Sequence, residues 1–205
     1  MTAQPASPVS VRRASLLVFG SLAYNALEGI VAIGAGILAG SAALMGFGLD
    51  SAIEVSASAV VLIHLLSRSE EDSPWEQRAA MFIGLTFMAL AAYVGYHAVR
   101  DLASSSKPDE SYFGIGLAVA SLALMPVLAR AKHDLAHQIN SRALEAESRE
   151  TLVCSYLSAA LLLGLAANAV LGWWWADPIA ALVIVAVLLK EGWEAFTRRE
   201  LCACD

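Results

Sequence analysis

The fold class this chain predicts is an all-α integral membrane protein of six membrane-crossing helices, and three observations predict it. Apolar residues make up 58% of the 205 and charged residues only 16%, with a mean hydropathy of +0.63, outside the range of soluble domains. The charges bunch between long apolar blocks instead of being spread along the chain. Six such blocks run at roughly 14–38, 42–66, 77–103, 111–136, 148–172 and 177–199. Each is long enough to cross a hydrocarbon core of about 30 Å. The implied organisation is a cytoplasmic tail over 1–13, a transmembrane domain over 14–199 and a short Cys-containing cytoplasmic tail over 200–205.

The first block is too long for a cleaved signal peptide and runs on without a small-residue cleavage site, so it is expected in the mature chain. Arg12-Arg13 before it reads as a basic cytoplasmic flank rather than a twin-arginine signal. Gly36 and Gly40, four apart, have the small-residue spacing that permits close helix approach. Only a few residues around Gly40-Ser41 separate the first block from the second, which makes the two antiparallel neighbours. A polar turn over 68–74 follows, with Ser73 before Pro74 and Glu76 as the expected capped start of the third helix. The loop around 104–109 leads to the fourth block. The stretch 130–149 keeps a helical composition and is expected to prolong the fourth and fifth helices beyond the membrane. Asp177-Pro178 reads as N-cap and first position of the sixth helix.

Orientation follows from the basic residues. Eleven of the thirteen Lys and Arg fall on one side, and Arg100 and Lys107 on the other, so both termini are expected to be cytoplasmic. Tyr96, Tyr112 and Trp173-Trp174-Trp175 then form an outer aromatic belt, with Trp75 and Trp193 near the inner one. Of the three cysteines, Cys154 lies inside a helix and Cys202 and Cys204 in the tail, whose expected cytoplasmic side keeps thiols reduced, so no structural disulfide is expected. No phosphate-binding glycine loop, nucleophile–base set or nucleic-acid motif is present.

Inside the blocks, ionisable and soft-ligand side chains are few. Asp50 and Glu54 lie four apart in the second block, hence on one helix face one turn apart. Each acid at membrane depth costs about 2.5–3.5 kcal/mol on insertion scales, and such groups commonly mark an ion or proton pathway. Glu150 and Cys154 repeat the spacing in the fifth block. Three carboxylates and a thiolate give four donors, the tetrahedral number that zinc prefers, and the thiolate favours zinc or cadmium over magnesium or calcium. Without a cation the carboxylates repel one another and retain protons. Metal binding displaces those protons, which is the physical basis for metal–proton exchange.

These residues resemble the cation diffusion facilitator family. Gly48-Leu49-Asp50-Ser51-Ala52-Ile53-Glu54 looks like the family's helix-2 motif, an acid or His four residues before an Asp. The run from Ala143 to Cys154 is similar to the approach to its helix-5 His/Asp pair, and Asp177-Pro178-Ile179-Ala180-Ala181-Leu182 to the start of its helix 6. The resemblance implies six helices, metal–proton antiport and a homodimer, here joined through membrane helices. It places the helix-5 pair on Glu150 and Cys154, so the implied metal ligands are Asp50, Glu54, Glu150 and Cys154. The expected member is divergent and lacks the C-terminal cytoplasmic domain common in the family.

The function expected is efflux of a divalent transition metal by proton antiport across a bacterial inner membrane. Zinc comes first, then cadmium or cobalt, with the metal as cargo and no resident cofactor. Two other readings fit: a non-transporting regulatory or assembly protein that retains the fold, and a proton-coupled exporter of organic cations. Glu28, beside Tyr24 and Asn25, is a candidate proton carrier or partner to the ligands. His133 and His137 share a helix face, and Cys202 and Cys204 are candidate soft-metal donors.

Overall fold

A computed structural model describes residues 8–67, 74–105 and 107–198 and contains six helices: α1 (Pro8–Ala39), α2 (Ala42–Ser67), α3 (Pro74–Ser104), α4 (Tyr112–Ile139), α5 (Arg142–Leu171) and α6 (Ala176–Arg198). No strand occurs among the described residues. The helix order matches the six apolar blocks. Differences lie at the ends, where polar sequence continues the helix. α1 begins at Pro8 and takes in Arg12 and Arg13, while α4 and α5 run on to a break at Asn140-Ser141. Ser73, the tail cysteines Cys202 and Cys204, and the acids at 70–72 lie outside the described residues.

The α4–α5 break is built by two residue types suited to it. Asn140 adopts the left-handed conformation (φ 52°, ψ 47°), which Asn tolerates better than most residues, and its N–H reaches Ala136 O. Ser141 then caps α5, its hydroxyl accepting from Leu144 N at 3.4 Å. The same logic joins α1 to α2, where Gly40 takes φ 64°.

Five hydrogen bonds gather one end of the bundle. Asp109 N donates to Ala39 O at 2.8 Å, and Asn168 Nδ2 to Pro108 O at 3.0 Å. Asp177 Oδ1 accepts from Ser41 Oγ at 2.5 Å, its Oδ2 from Ala43 N at 3.4 Å, and Ser41 Oγ accepts from Leu44 N at 3.0 Å. Asp177 therefore satisfies the N-terminus of α2. It does not cap its own helix, because α6 already starts at Ala176 and the carboxylate turns toward the orphan N–H groups of its neighbour.

α2 lies at the centre, packed against α1, α3, α5 and α6; the closest pairings in the bundle are α1 with α2, α4 with α5 and α3 with α6. Gly36 and Gly48 permit the α1–α2 approach. A Cβ at Gly48 meets Ile33 N at 2.8 Å, and one at Gly36 meets Met45 N at 2.9 Å. Gly40 does not share this role: nothing lies within 4 Å of its Cβ position, and it serves the turn instead of the helix contact.

Buried positions recur at alternating steps of three and four. On α1 they are Ala14, Val18, Ser21, Asn25, Glu28 and Ala32, and on α5 Glu147, Thr151, Cys154, Ser158, Leu161 and Leu165. This is the 3.5-residue seam of left-handed helix packing. Polar groups occupy the seams, while Leu38, Phe113 and Val170 stand more than 80% exposed on the outer surface. An apolar exterior around a core that interleaves polar groups with apolar ones is the distribution a lipid environment selects. α1, α2, α4 and α5 are long and apolar enough to cross a membrane.

Candidate metal centre

α2 and α5 bring together Asp50, Glu54 and Cys154. One donor atom from each, two carboxylate oxygens and Sγ, lies within 4.8 Å of the others, and the three residues are 4%, 6% and 1% exposed. The four-residue spacing on α2 sets the two carboxylates on one face, and the α5 seam turns Cys154 toward them. Two hard oxygens with one soft sulfur can bind a borderline divalent ion, and the buried acids are poor company for each other without one. Glu150 does not join this group. It sits one turn nearer the α4–α5 break and is only partly buried.

α1 supports the centre from its own seam. Asn25 Nδ2 donates to Glu54 Oε2 at 2.8 Å, while Asn25 Oδ1 is buried without a hydrogen-bond partner. Glu28, one turn along, is a separate buried carboxylate. It accepts from Ser51 Oγ at 3.1 Å and from Ser121 Oγ, whose oxygen in turn lies 2.9 Å from Tyr24 Oη. The α4 hydroxyl is thus tied to both Tyr24 and Glu28 of α1.

A second charged group was not anticipated as a buried one. Lys132, counted with the loop cations in the sequence, is fully buried on α4. Its Nζ donates to Glu147 Oε1 and to Thr151 Oγ1, each at 2.9 Å, and Ser58 Oγ of α2 donates to the same Glu147 oxygen at 2.6 Å. Glu147 Oε2 is buried without a partner. The signal was present in the spacing: Lys132 falls in register with the buried stripe Ser121, Met125, Ala129 and Ala136.

Residues 18–198 match the cation efflux transmembrane domain. The chain belongs to the cation efflux family. Its relatives include an uncharacterised transporter of Synechocystis, 30% identical over 94% of this chain and 62% of that protein. The manganese efflux system protein MneS of Bacillus subtilis is 28% identical over 85% of this chain and 62% of its own length. The magnetosome protein MamB of a Magnetospira species is 27% identical over 78% and 57%. The chain thus spans about three-fifths of the length of these relatives. Membership agrees with the likeness to cation diffusion facilitators carried by the Asp50–Glu54 motif, and identifies a multi-pass integral membrane protein of a transporter family, not an enzyme family.

Proposed function

We propose that this cation efflux protein carries a divalent transition-metal ion out of the cytoplasm in exchange for protons, with Asp50, Glu54 and Cys154 as the central ligands. The observation that carries this reading is their convergence: three potential donors from two helices within 4.8 Å, buried in the bundle interior. Protons and metal compete for the same carboxylates, so binding of one releases the other. Glu150 lies four residues from Cys154, a rise of about 6 Å. In this reading it is the fourth ligand, engaging the ion as it passes along α5.

Zinc is the first cargo, because the thiolate favours it over harder ions. MneS, named for manganese efflux, makes manganese the competing cargo. On this reading α3 and α6 also cross the bilayer, both termini are cytoplasmic, and two copies pair through membrane helices in a bacterial inner membrane. The support is the distribution of Lys and Arg along the sequence and the membership of the family.

The test is metal-dependent proton flux in proteoliposomes across zinc, cadmium, cobalt and manganese. Wild type should move protons against zinc, and Asp50→Ala should abolish the flux while inserting normally. Zinc flux undiminished in Asp50→Ala, or flux competed by lipophilic cations in place of metals, overturns the reading.

A further inference from the structure

We propose a second divalent-metal site at the α4–α5 break, formed by His133, His137 and Glu145. It is separate from the Asp50–Glu54–Cys154 centre and does not depend on the transport reading. The two histidines are one turn apart near the end of α4, and Glu145 lies in the first turn of α5. The short Asn140-Ser141 connection folds these turns against each other. One donor atom from each of the three residues lies within 4.8 Å of the others.

The imidazole geometry is that of a bidentate clamp. His133 Nε2 and His137 Nε2 are 3.2 Å apart, with ring planes at 87°. Two nitrogens bound to one tetrahedral zinc at 2.0–2.1 Å stand about 3.3 Å apart, so the pair already has the required separation. Without an ion, two ring nitrogens this close need one to carry a proton and donate to the other. A divalent ion satisfies both neutral rings at once. Both histidines are exposed, so an ion reaches them without entering the bundle.

The third donor is held in check. Glu145 Oε1 accepts from Arg149 Nη2 at 3.0 Å, across one turn of α5. This i,i+4 pair, with the Arg149 end half exposed, contributes little, so a rotation that turns the carboxylate from Arg149 to the histidine pair is inexpensive. The donor set of two nitrogens and one oxygen suits zinc, cobalt or nickel better than magnesium or calcium. A water completes the tetrahedron, and the site is of the open, exchangeable kind. Occupied, it links the end of α4 to the start of α5, the helix that carries Cys154.

The experiment is a cobalt and zinc titration of the full-length protein in detergent micelles, with stoichiometry from equilibrium dialysis and geometry from cobalt absorption. Thiolate ligation at Cys154, Cys202 or Cys204 gives sulfur-to-cobalt charge transfer, whereas this site adds its own tetrahedral ligand-field bands without charge transfer. His133→Gln/His137→Gln should lose one metal equivalent and those bands while keeping the charge transfer. Glu145→Gln should weaken this equivalent at least as much as loss of an outer-shell partner, roughly 10–100-fold. Arg149→Gln should tighten it. In the unaltered protein, one equivalent of zinc should protect His133 and His137 from acylation. Unchanged stoichiometry and bands in the double variant, or acylation of both histidines at the same rate with zinc as without it, overturns the proposal.

Discussion

Replacing Lys132 with methionine keeps the volume of a fully buried side chain and removes its charge. Glu147, 3% exposed, then retains only the 2.6 Å hydrogen bond from Ser58, since its other oxygen already has no partner. Removing one member of a buried ion pair costs about 3–5 kcal/mol, because the remaining charge is left uncompensated in a low-dielectric interior. The converse change, Glu147→Leu, strands the ammonium on the Thr151 hydroxyl and should cost a similar amount. The triple change Lys132→Met/Glu147→Leu/Ser58→Ala removes both charges and the hydroxyl that served them, and should return to within about 1.5 kcal/mol of wild type. Thr151 needs no alteration, as its hydroxyl also donates to Glu147 O at 2.9 Å. Reversible unfolding in mixed micelles, followed by circular dichroism, gives the four stabilities. A loss below about 1 kcal/mol in Lys132→Met refutes the reasoning, since it means the Glu147 carboxylate is hydrated or neutral in the native bundle.

Cys154→Ser should shift relative transport from zinc and cadmium toward manganese, read from flux in proteoliposomes; an unaltered order removes the sulfur from the ligand set. Asn25→Leu frees Glu54 Oε2 and deletes an unpartnered amide oxygen beside the centre, so zinc affinity by calorimetry should fall roughly 10–100-fold, and an unchanged affinity reduces Asn25 to packing. Gly48→Ala drives a methyl group to 2.8 Å from Ile33 N and should destabilise the α1–α2 pair by about 1–3 kcal/mol, whereas Gly20→Ala, with open space around it, should not.

Much of this architecture was legible because apolar length and the placement of Gly, Asn, Ser and Pro are local properties. The Asp50–Glu54 pair stood out because both acids interrupt an apolar run, and Cys154 because its spacing from Glu150 repeated theirs. Glu150 and Cys154 looked equivalent in sequence, but they sit one turn apart along α5, and it is Cys154 whose donor falls within 4.8 Å of those of the α2 acids. Lys132 counted in sequence only among the eleven cations of one side, in the 130–149 stretch expected to prolong the helices beyond the membrane. Its partner, fifteen residues on, is brought close by the α4–α5 fold-back at Asn140-Ser141, a tertiary pairing that the sequence around Lys132 does not itself show. Asp177 followed the local rule for a cap and served another helix, since a carboxylate is drawn to whichever bare N–H groups tertiary packing presents.

The Asp177–Ser41 clasp has a mechanical consequence. By pinning the first turn of α2 to α6, it makes that end a fulcrum and the rest of α2 a lever. Asp50 lies nine residues from Ser41, about 14 Å along the axis, and Ser67 about 39 Å. A swing of about 10° therefore displaces the Asp50 level by roughly 2 Å, enough to break a metal–ligand bond, and the far end by roughly 7 Å, wider than a water molecule. On the proposed transport reading, this hydrogen-bonded joint would set the ratio between the movement at the ion's ligands and the movement at the far end of α2.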